Sequence, residues 1–264
     1  MASQDAPDAH EMIPAERRSR ITEILRDRRA VRVSSLSDGL GVSEMTIRRD
    51  LERLESEGLL VRTHGGAVLK RHMAEEPLYD DKVAAHAEEK RRIAQRAAQL
   101  IEPGETVFLS SGTTAAQVLR HVDPALEARV VTHNVGALAE AHGPRLEVIL
   151  LGGLYRPRSN AVAGSLTIEM LSWFTASKML LGVDGLDLEE GLTTPTVGMA
   201  SIERAMIART RGEVIALADS SKIGVVADVA VCGFDQVDAV LLDDGVDESL
   251  RLDIGRLGPR CITV

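Results

Sequence analysis

Aromatic side chains are scarce in this 264-residue chain: three Phe, two Tyr and one Trp, 2% of the sequence. So few rings exclude the stacking platforms that grip single-stranded nucleic acid. They also leave the core to Leu, Val, Ile and Ala. Cysteine is nearly missing: Cys232 and Cys261 stand alone, in no metal-type spacing, and fit two reduced thiols of a cytoplasmic protein without a metal. No apolar run approaches the ~18 residues that span a bilayer, so no membrane is expected as a partner. Residues 1–12 hold three acids and no Lys or Arg, which is not a secretory signal. Positive charge is also short, with 31 Lys and Arg against 40 Asp and Glu and a net charge of −9. Phosphate must be met by positive charge, so that deficit speaks against nucleic acid unless the sum hides an asymmetry.

The asymmetry is present. Residues 1–14 carry a net −3 and read as a disordered leader. Residues 15–72 hold 13 Lys and Arg against 9 Asp and Glu, a net +4. Residues 73–264 hold 18 against 28, a net −10. The chain therefore reads as a small basic domain over 15–70, a charged linker over 71–88 that contains Pro77, and a large acidic domain over 89–264.

In the basic segment, Ile21, Ile24 and Leu25 give Ala15–Arg29 helical spacing. Val31–Val33 alternates like a short strand. Ser34 or Ser35 can cap a second helix that carries Leu36 and Leu40, and Gly41 supplies the turn after it. Ser43 caps a third helix over Glu44–Glu57, ended by Gly58. Ile47, Leu51 and Leu54 form its apolar face. Thr46, Arg49 and Arg53 share another face, with Arg48 beside them. Arg can pair bidentately with guanine, and Thr can meet a thymine methyl or a phosphate, so this face suits a major groove. By itself the helix fits a solvated basic face equally well. The strand Leu59–Arg62, the turn Thr63-His64-Gly65-Gly66 and the strand Ala67–Leu69 add a hairpin wing. Arg62 and His64 of that wing can reach the DNA backbone or minor groove, while a histidine in a turn is also a common surface residue.

The run Val42-Ser43-Glu44-Met45-Thr46-Ile47-Arg48-Arg49-Asp50-Leu51, then Gly58-Leu59 and Arg62-Thr63-His64-Gly65-Gly66-Ala67, resembles the DNA-binding signature of the DeoR family of bacterial transcriptional regulators. The resemblance implies a winged helix-turn-helix that binds double-stranded operator DNA. Asp50, beside two arginines, is expected to orient one of them.

The acidic segment alternates helix and strand. Apolar runs at Thr106–Leu109, Arg129–Thr132, Leu146–Leu151, Lys178–Val183, Val214–Ala218 and Ala239–Leu242 read as strands. Helices are expected at His86–Ile101, Ala115–His121, Val135–Ala141 and Ile202–Thr210. That order predicts a mostly parallel sheet in an α/β domain, with ligands beyond the carboxyl ends of its strands. The strand-end loops are Ser110-Ser111-Gly112-Thr113-Thr114, Thr132-His133-Asn134, Gly152-Gly153 with Arg156, Gly182-Val183-Asp184-Gly185 and Asp219-Ser220-Ser221-Lys222. The first combines a glycine, four hydroxyls and a helix start, which suits a phosphate or a plain capped helix. It is not a P-loop, having no lysine at the right spacing. Asp184 can accept hydrogen bonds from sugar hydroxyls, and Lys222 and Arg156 can complement a phosphate. Asp184 and Lys222 can equally form a structural ion pair.

These stretches, from Glu89-Lys90 through Gly191-Leu192-Thr193-Thr194 to Ala218–Lys222, resemble the DeoR family's sensor domain, which is similar in fold to ribose-5-phosphate isomerase. The resemblance implies a phosphorylated sugar or related metabolite as effector, no other cofactor, and repression relieved by that ligand. Family members often carry Asp where Ser110 stands, Thr-Asn where Thr132-His133 stands and an acid where Met199 stands. Losing carboxylates at 110 and 199 makes the pocket less negative and changes which hydroxyls it can read. The alternative is a sugar-phosphate isomerase with an appended DNA-binding module, for which Asp184 and Lys222 would supply base and stabiliser. One helix-turn-helix covers few base pairs, so a homodimer or larger assembly is expected.

Overall fold

The computed structural model describes residues 12–28 and 30–264. Most of the leader expected at 1–14 lies outside them. The chain forms two compact units, one ending at Leu69 and one running from Lys70 to Val264.

The first unit comprises α1 (Pro14–Arg28), β1 (Ala30–Arg32), α2 (Val33–Leu40), α3 (Glu44–Ser56), β2 (Leu60–Arg62) and β3 (Gly66–Leu69). Ile21 and Leu25 of α1, Leu36 of α2, Ile47, Leu51 and Leu54 of α3, and Leu60 pack into one core. The three strands are antiparallel with β3 in the centre, giving a winged helix-turn-helix. Three details differ from expectation. Val33 opens α2 and is buried, where a strand residue was expected, and neither Ser34 nor Ser35 caps the helix, because the cap position falls on Arg32. Asp50 turns away from Arg48 and Arg49 into the core. It is 4% exposed and lies 2.5 Å from Nε of Arg17 and 3.6 Å from Arg18. The carboxylate, on the inner face of α3, thus clamps that helix to α1.

The second unit opens with β4 (Arg71–Met73), α4 (Tyr79–Ala84) and α5 (Ala87–Ala98). It continues through β5 (Thr106–Leu109), α6 (Thr113–Val118), β6 (Ala128–Thr132) and β7 (Leu146–Leu150). Next come β8 (Leu154–Arg156), β9 (Ala161–Ala163), α7 (Ser165–Leu171), β10 (Ala176–Gly182), β11 (Gly185–Asp187) and β12 (Gly191–Thr194). It closes with α8 (Val197–Arg209), β13 (Thr210–Ala218), β14 (Val225–Ala227), β15 (Val229–Cys232), β16 (Ala239–Leu242), α9 (Glu248–Arg256) and β17 (Arg260–Thr263).

Seven strands form an all-parallel sheet in the order β7-β6-β5-β10-β13-β16-β17. Both faces are covered: Val107, Phe108 and Leu109 alternate along β5, and all three are fully buried. Ile93 and Ala97 of α5 pack on the face that carries Val107, Leu180 and Ile215. From β5 the chain steps outward through β6 and β7, then returns to the other side of β5 as β10. The ends of β5 and β10 therefore flank the place where strand order reverses, which is where ligands of open α/β sheets bind.

All six expected strands are present. The edge strand β17 is an addition, with too few apolar residues in Arg260–Thr263 to mark a strand in the sequence. Val135–Ala139 is a 3-10 turn, and α6 gives way to a 3-10 turn over Leu119–His121. The stretch 71–88, expected as a linker, is built into the second unit: β4 pairs in parallel with β14.

Candidate functional site

On α3, Ser43 is a structural cap, its hydroxyl accepting the Thr46 N–H at 3.3 Å. Thr46, Arg49 and Arg53 share one face, and Arg49 is exposed. The other cations are tied to surface acids: Arg48 to Glu44 at 3.2 Å, Arg53 to Glu57 at 2.8 Å and Arg62 to Glu52 at 3.0 Å. Such exposed pairs are worth only about 0–1 kcal/mol and open readily to a competing phosphate. In the wing, Thr63 donates its N–H to the Gly66 carbonyl at 3.0 Å, which presents His64 at the exposed tip. Gly65 accepts the Val33 N–H at 2.8 Å. Gly66 is buried, and a Cβ on it would lie 1.8 Å from the Val31 carbonyl oxygen. Its part in the wing is to let β1 approach.

In the second unit a small cleft opens at the switch point. The loop after β5 contributes Ser111, Gly112, Thr113 and Thr114, and the loop after β10 contributes Gly182, Val183 and Asp184. Lys82, Lys90, Glu203 and Lys222 complete it. Gly112 sits at φ +103°, where a side chain would be strained, so the loop turns sharply into α6. That helix is short, so hydroxyls and lysines matter more here than a helix dipole.

Behind the loop, His133 accepts the Ser111 N–H on Nε2 at 3.1 Å and donates from Nδ1 to the Val162 carbonyl at 3.1 Å. The two bonds fix its neutral tautomer, and burial lowers its pKa to about 4. Asn134 donates its side-chain N–H groups to the carbonyls of Ser110 and Gly112 at 3.2 and 3.0 Å. Ser110 is buried and accepts the Gly182 N–H at 2.8 Å. The Thr132 hydroxyl donates to the Leu109 carbonyl at 2.7 Å. These four residues shape the loop from beneath rather than lining the cleft.

Asp184 pairs with Lys82 at 3.1 Å and accepts the Thr194 hydroxyl at 2.9 Å. The ion pair considered for Asp184 and Lys222 is thus made by Lys82. Burial alone would raise the Asp184 pKa, but Lys82 and then Lys222 hold it below the usual value. Burial works against the Lys82 ammonium, and Asp184 more than offsets it, so its pKa is raised. Lys90 is 2% exposed. It donates to the carbonyls of Lys82 and Ala85, and burial brings its pKa down to about 8. Gly152, Gly153 and Arg156 do not line this cleft. Gly152 is bonded to Met170 and Thr167 of α7, and Arg156 faces Glu76 at 3.6 Å. Gly185 packs against the Val225 carbonyl.

The family model of the DeoR-like helix-turn-helix domain matches residues 17–72, and that of the DeoR C terminal sensor domain matches residues 85–244. The chain belongs to the DeoR family. Its curated relatives include the HTH-type transcriptional regulator GlpR of Haloferax volcanii, 36% identical over 247 residues that cover 94% of this chain and 96% of the relative. The glycerol-3-phosphate regulon repressor of Escherichia coli is 33% identical over 233 residues, covering 88% and 92%. Among solved structures, ribose 5-phosphate isomerase from Methanocaldococcus jannaschii gives a TM-score of 0.39 at 17% identity, over 53% of this chain and 55% of that one. As a DeoR-family member the protein is a DNA-binding transcriptional regulator and not an enzyme.

For a DeoR-family sensor, the residues that sequence reading passed over are Lys82, Lys90 and Glu203. Two of them left a signal. Lys90 falls on the buried face of α5 with Ile93, Ala94 and Ala97, and Glu203 falls on that of α8 with Met199, Ile202 and Met206. A charge on an inner helical face needs a partner or a purpose. Lys82 lies in a run of mixed charge and left no such mark.

Proposed function

We propose that this DeoR-family regulator is a repressor of carbohydrate or related metabolic genes, released from its operator when a small phosphorylated metabolite fills the switch-point cleft. One observation carries the reading: Lys82, Lys90 and Lys222 converge on a loop of hydroxyls and backbone N–H groups at the edge of the sheet. That donor set suits a phosphate in a domain that is otherwise acidic. The name of the E. coli relative, a glycerol-3-phosphate regulon repressor, supports the same ligand chemistry and the same direction of control.

In this reading Thr46, Arg48, Arg49 and Arg53 of α3 enter the major groove, with Arg62 and His64 of the wing on the flanking backbone. Two copies of the chain bind two half-sites. The effector must bind the operator-free arrangement better than the operator-bound one. Within the second unit, the stretch that follows Lys70 is tied to the cleft: Arg71 donates to the Ser221 carbonyl at 2.6 Å, beside Lys222, and Lys82 is held by Asp184.

The test is fluorescence anisotropy on a duplex selected by the protein from a random library, titrated with phosphorylated sugars and polyols that raise the melting temperature. At least one such ester should weaken operator binding tenfold or more. Thr113→Ala with Thr114→Ala should keep operator affinity and lose the response. If no ester that stabilises the protein changes operator affinity, the reading fails.

A further inference from the structure

Glu203 is 4% exposed, lines the cleft, and forms no hydrogen bond or ion pair with any described residue. It comes from α8, one turn after Met199, whose sulfur lies 3.9 Å from the Ser111 hydroxyl. The same helical face thus covers the anion loop at one end and carries a carboxyl at the other. Asp184, whose oxygens are engaged by Lys82 and Thr194, lies across the same cleft.

We propose that Glu203 and Asp184 together read a hydroxyl of the bound phosphate ester, with Glu203 as donor and Asp184 as acceptor. This rests on the phosphate reading of the cleft and specifies the other end of the ligand. An ionised carboxylate buried without a partner is costly. Burial, then the nearby charge of Asp184, pushes the Glu203 carboxyl well above its usual range, with Glu76 adding and Lys82 opposing. Kept as the acid, Glu203 donates one hydrogen bond, and the Asp184 oxygens retain lone pairs to accept one. A hydroxyl both accepts and donates, so it satisfies the two at once. A methylene satisfies neither, and a carboxylate is repelled by Asp184.

Charge points the same way. With Glu203 neutral, the cleft holds three ammonium groups against one carboxylate, a surplus of two that matches a phosphate monoester near its dianion. The ligand class is therefore a phosphorylated polyol or sugar with a free hydroxyl, and neither a phosphorylated acid nor an alkyl phosphate.

The experiment uses the full chain and calorimetric titration with pairs of equal carbon number: glycerol 3-phosphate with propyl phosphate, xylitol 5-phosphate with pentyl phosphate, and sorbitol 6-phosphate with hexyl phosphate. Inorganic phosphate is the reference. In the best-binding pair the polyol ester should bind about tenfold or more tightly than its alkyl partner, as one or two hydrogen bonds to charged or buried groups require. Glu203→Gln, whose amide still donates, should keep that preference. Glu203→Met, of similar volume and without a donor, should lose it while binding inorganic phosphate as before. Equal binding of polyol and alkyl esters by the wild type, or an undiminished preference in Glu203→Met, overturns the assignment and leaves the phosphate reading standing. Binding of inorganic phosphate but of no organic ester overturns it too. If inorganic phosphate does not bind either, the effector reading beneath it fails.

Discussion

The candidate sites of the two units hold their cations in opposite ways. In the first, Arg48, Arg53 and Arg62 lie at the surface, each held by an acid one helical turn away or, for Arg62, on the preceding helix. In the second, Lys82 and Lys90 are drawn inward to a cleft, and one of them is almost fully buried. Surface cations with weakly held partners can rearrange along a long polyanion, whose counterions are released as they bind. Buried cations with fixed partners suit a single small anion, because low dielectric strengthens each contact and water is kept out. The net charge of −9 concealed both arrangements.

The contrast can be broken first at its most buried ion pair. Asp50→Ala strands Arg17 in the core of the DNA-binding unit and should cost about 3–5 kcal/mol there. Hydrogen exchange should show α1 and α3 losing protection, while phosphate-ester binding by the second unit persists. Next in size is a pH effect confined to the second unit. His133 stays neutral in the folded chain down to about pH 4, but charges near 6.5 when unfolded. Below pH 6.5 the unfolded chain takes up the proton first, so stability falls as pH drops, by about 3 kcal/mol at pH 4. Urea unfolding should show the wild type losing more stability than His133→Gln between pH 7 and pH 4, and equal losses would refute the effect.

Arg49→Ala removes an exposed side chain from the outer face of α3. It should weaken operator binding by about 1–3 kcal/mol with the melting temperature unchanged, as read by anisotropy and calorimetry. Glu57→Gln opens an exposed pair and should shift stability by only about 0.3–0.5 kcal/mol. Operator affinity should rise slightly as a repelling charge leaves the DNA face. A loss of more than 1 kcal/mol in stability would show that these surface pairs are structural.

Much of this was legible in the sequence because it is local. The spacing of Ile47, Leu51 and Leu54 gives α3, and two glycines in a row give the wing. Ser111–Thr114 marks a wall of the cleft by its hydroxyls and by a glycine that the backbone requires. The other half of the cleft is non-local. Lys82, Lys90 and Glu203 reach it from three helices, and only folding brings them beside Asp184. Asp50 misled for the same reason: its neighbours in sequence are arginines, but helical geometry turns it toward Arg17. Arg156 sits after the right strand to meet a phosphate, yet it turns to Glu76.

The connector is the feature with the widest practical reach. A sensor fragment cut at Glu89, where the sequence suggests a clean boundary, would lose β4 from its pairing with β14 and would lack Lys82. It would expose Asp184 without its counter-charge and leave the Lys90 ammonium without the two carbonyls that hold it. Such a fragment can fold and still misreport what the protein recognises. The stretch that follows the DNA-binding unit is itself part of the cleft wall, and a dissection of this regulator should begin at Lys70.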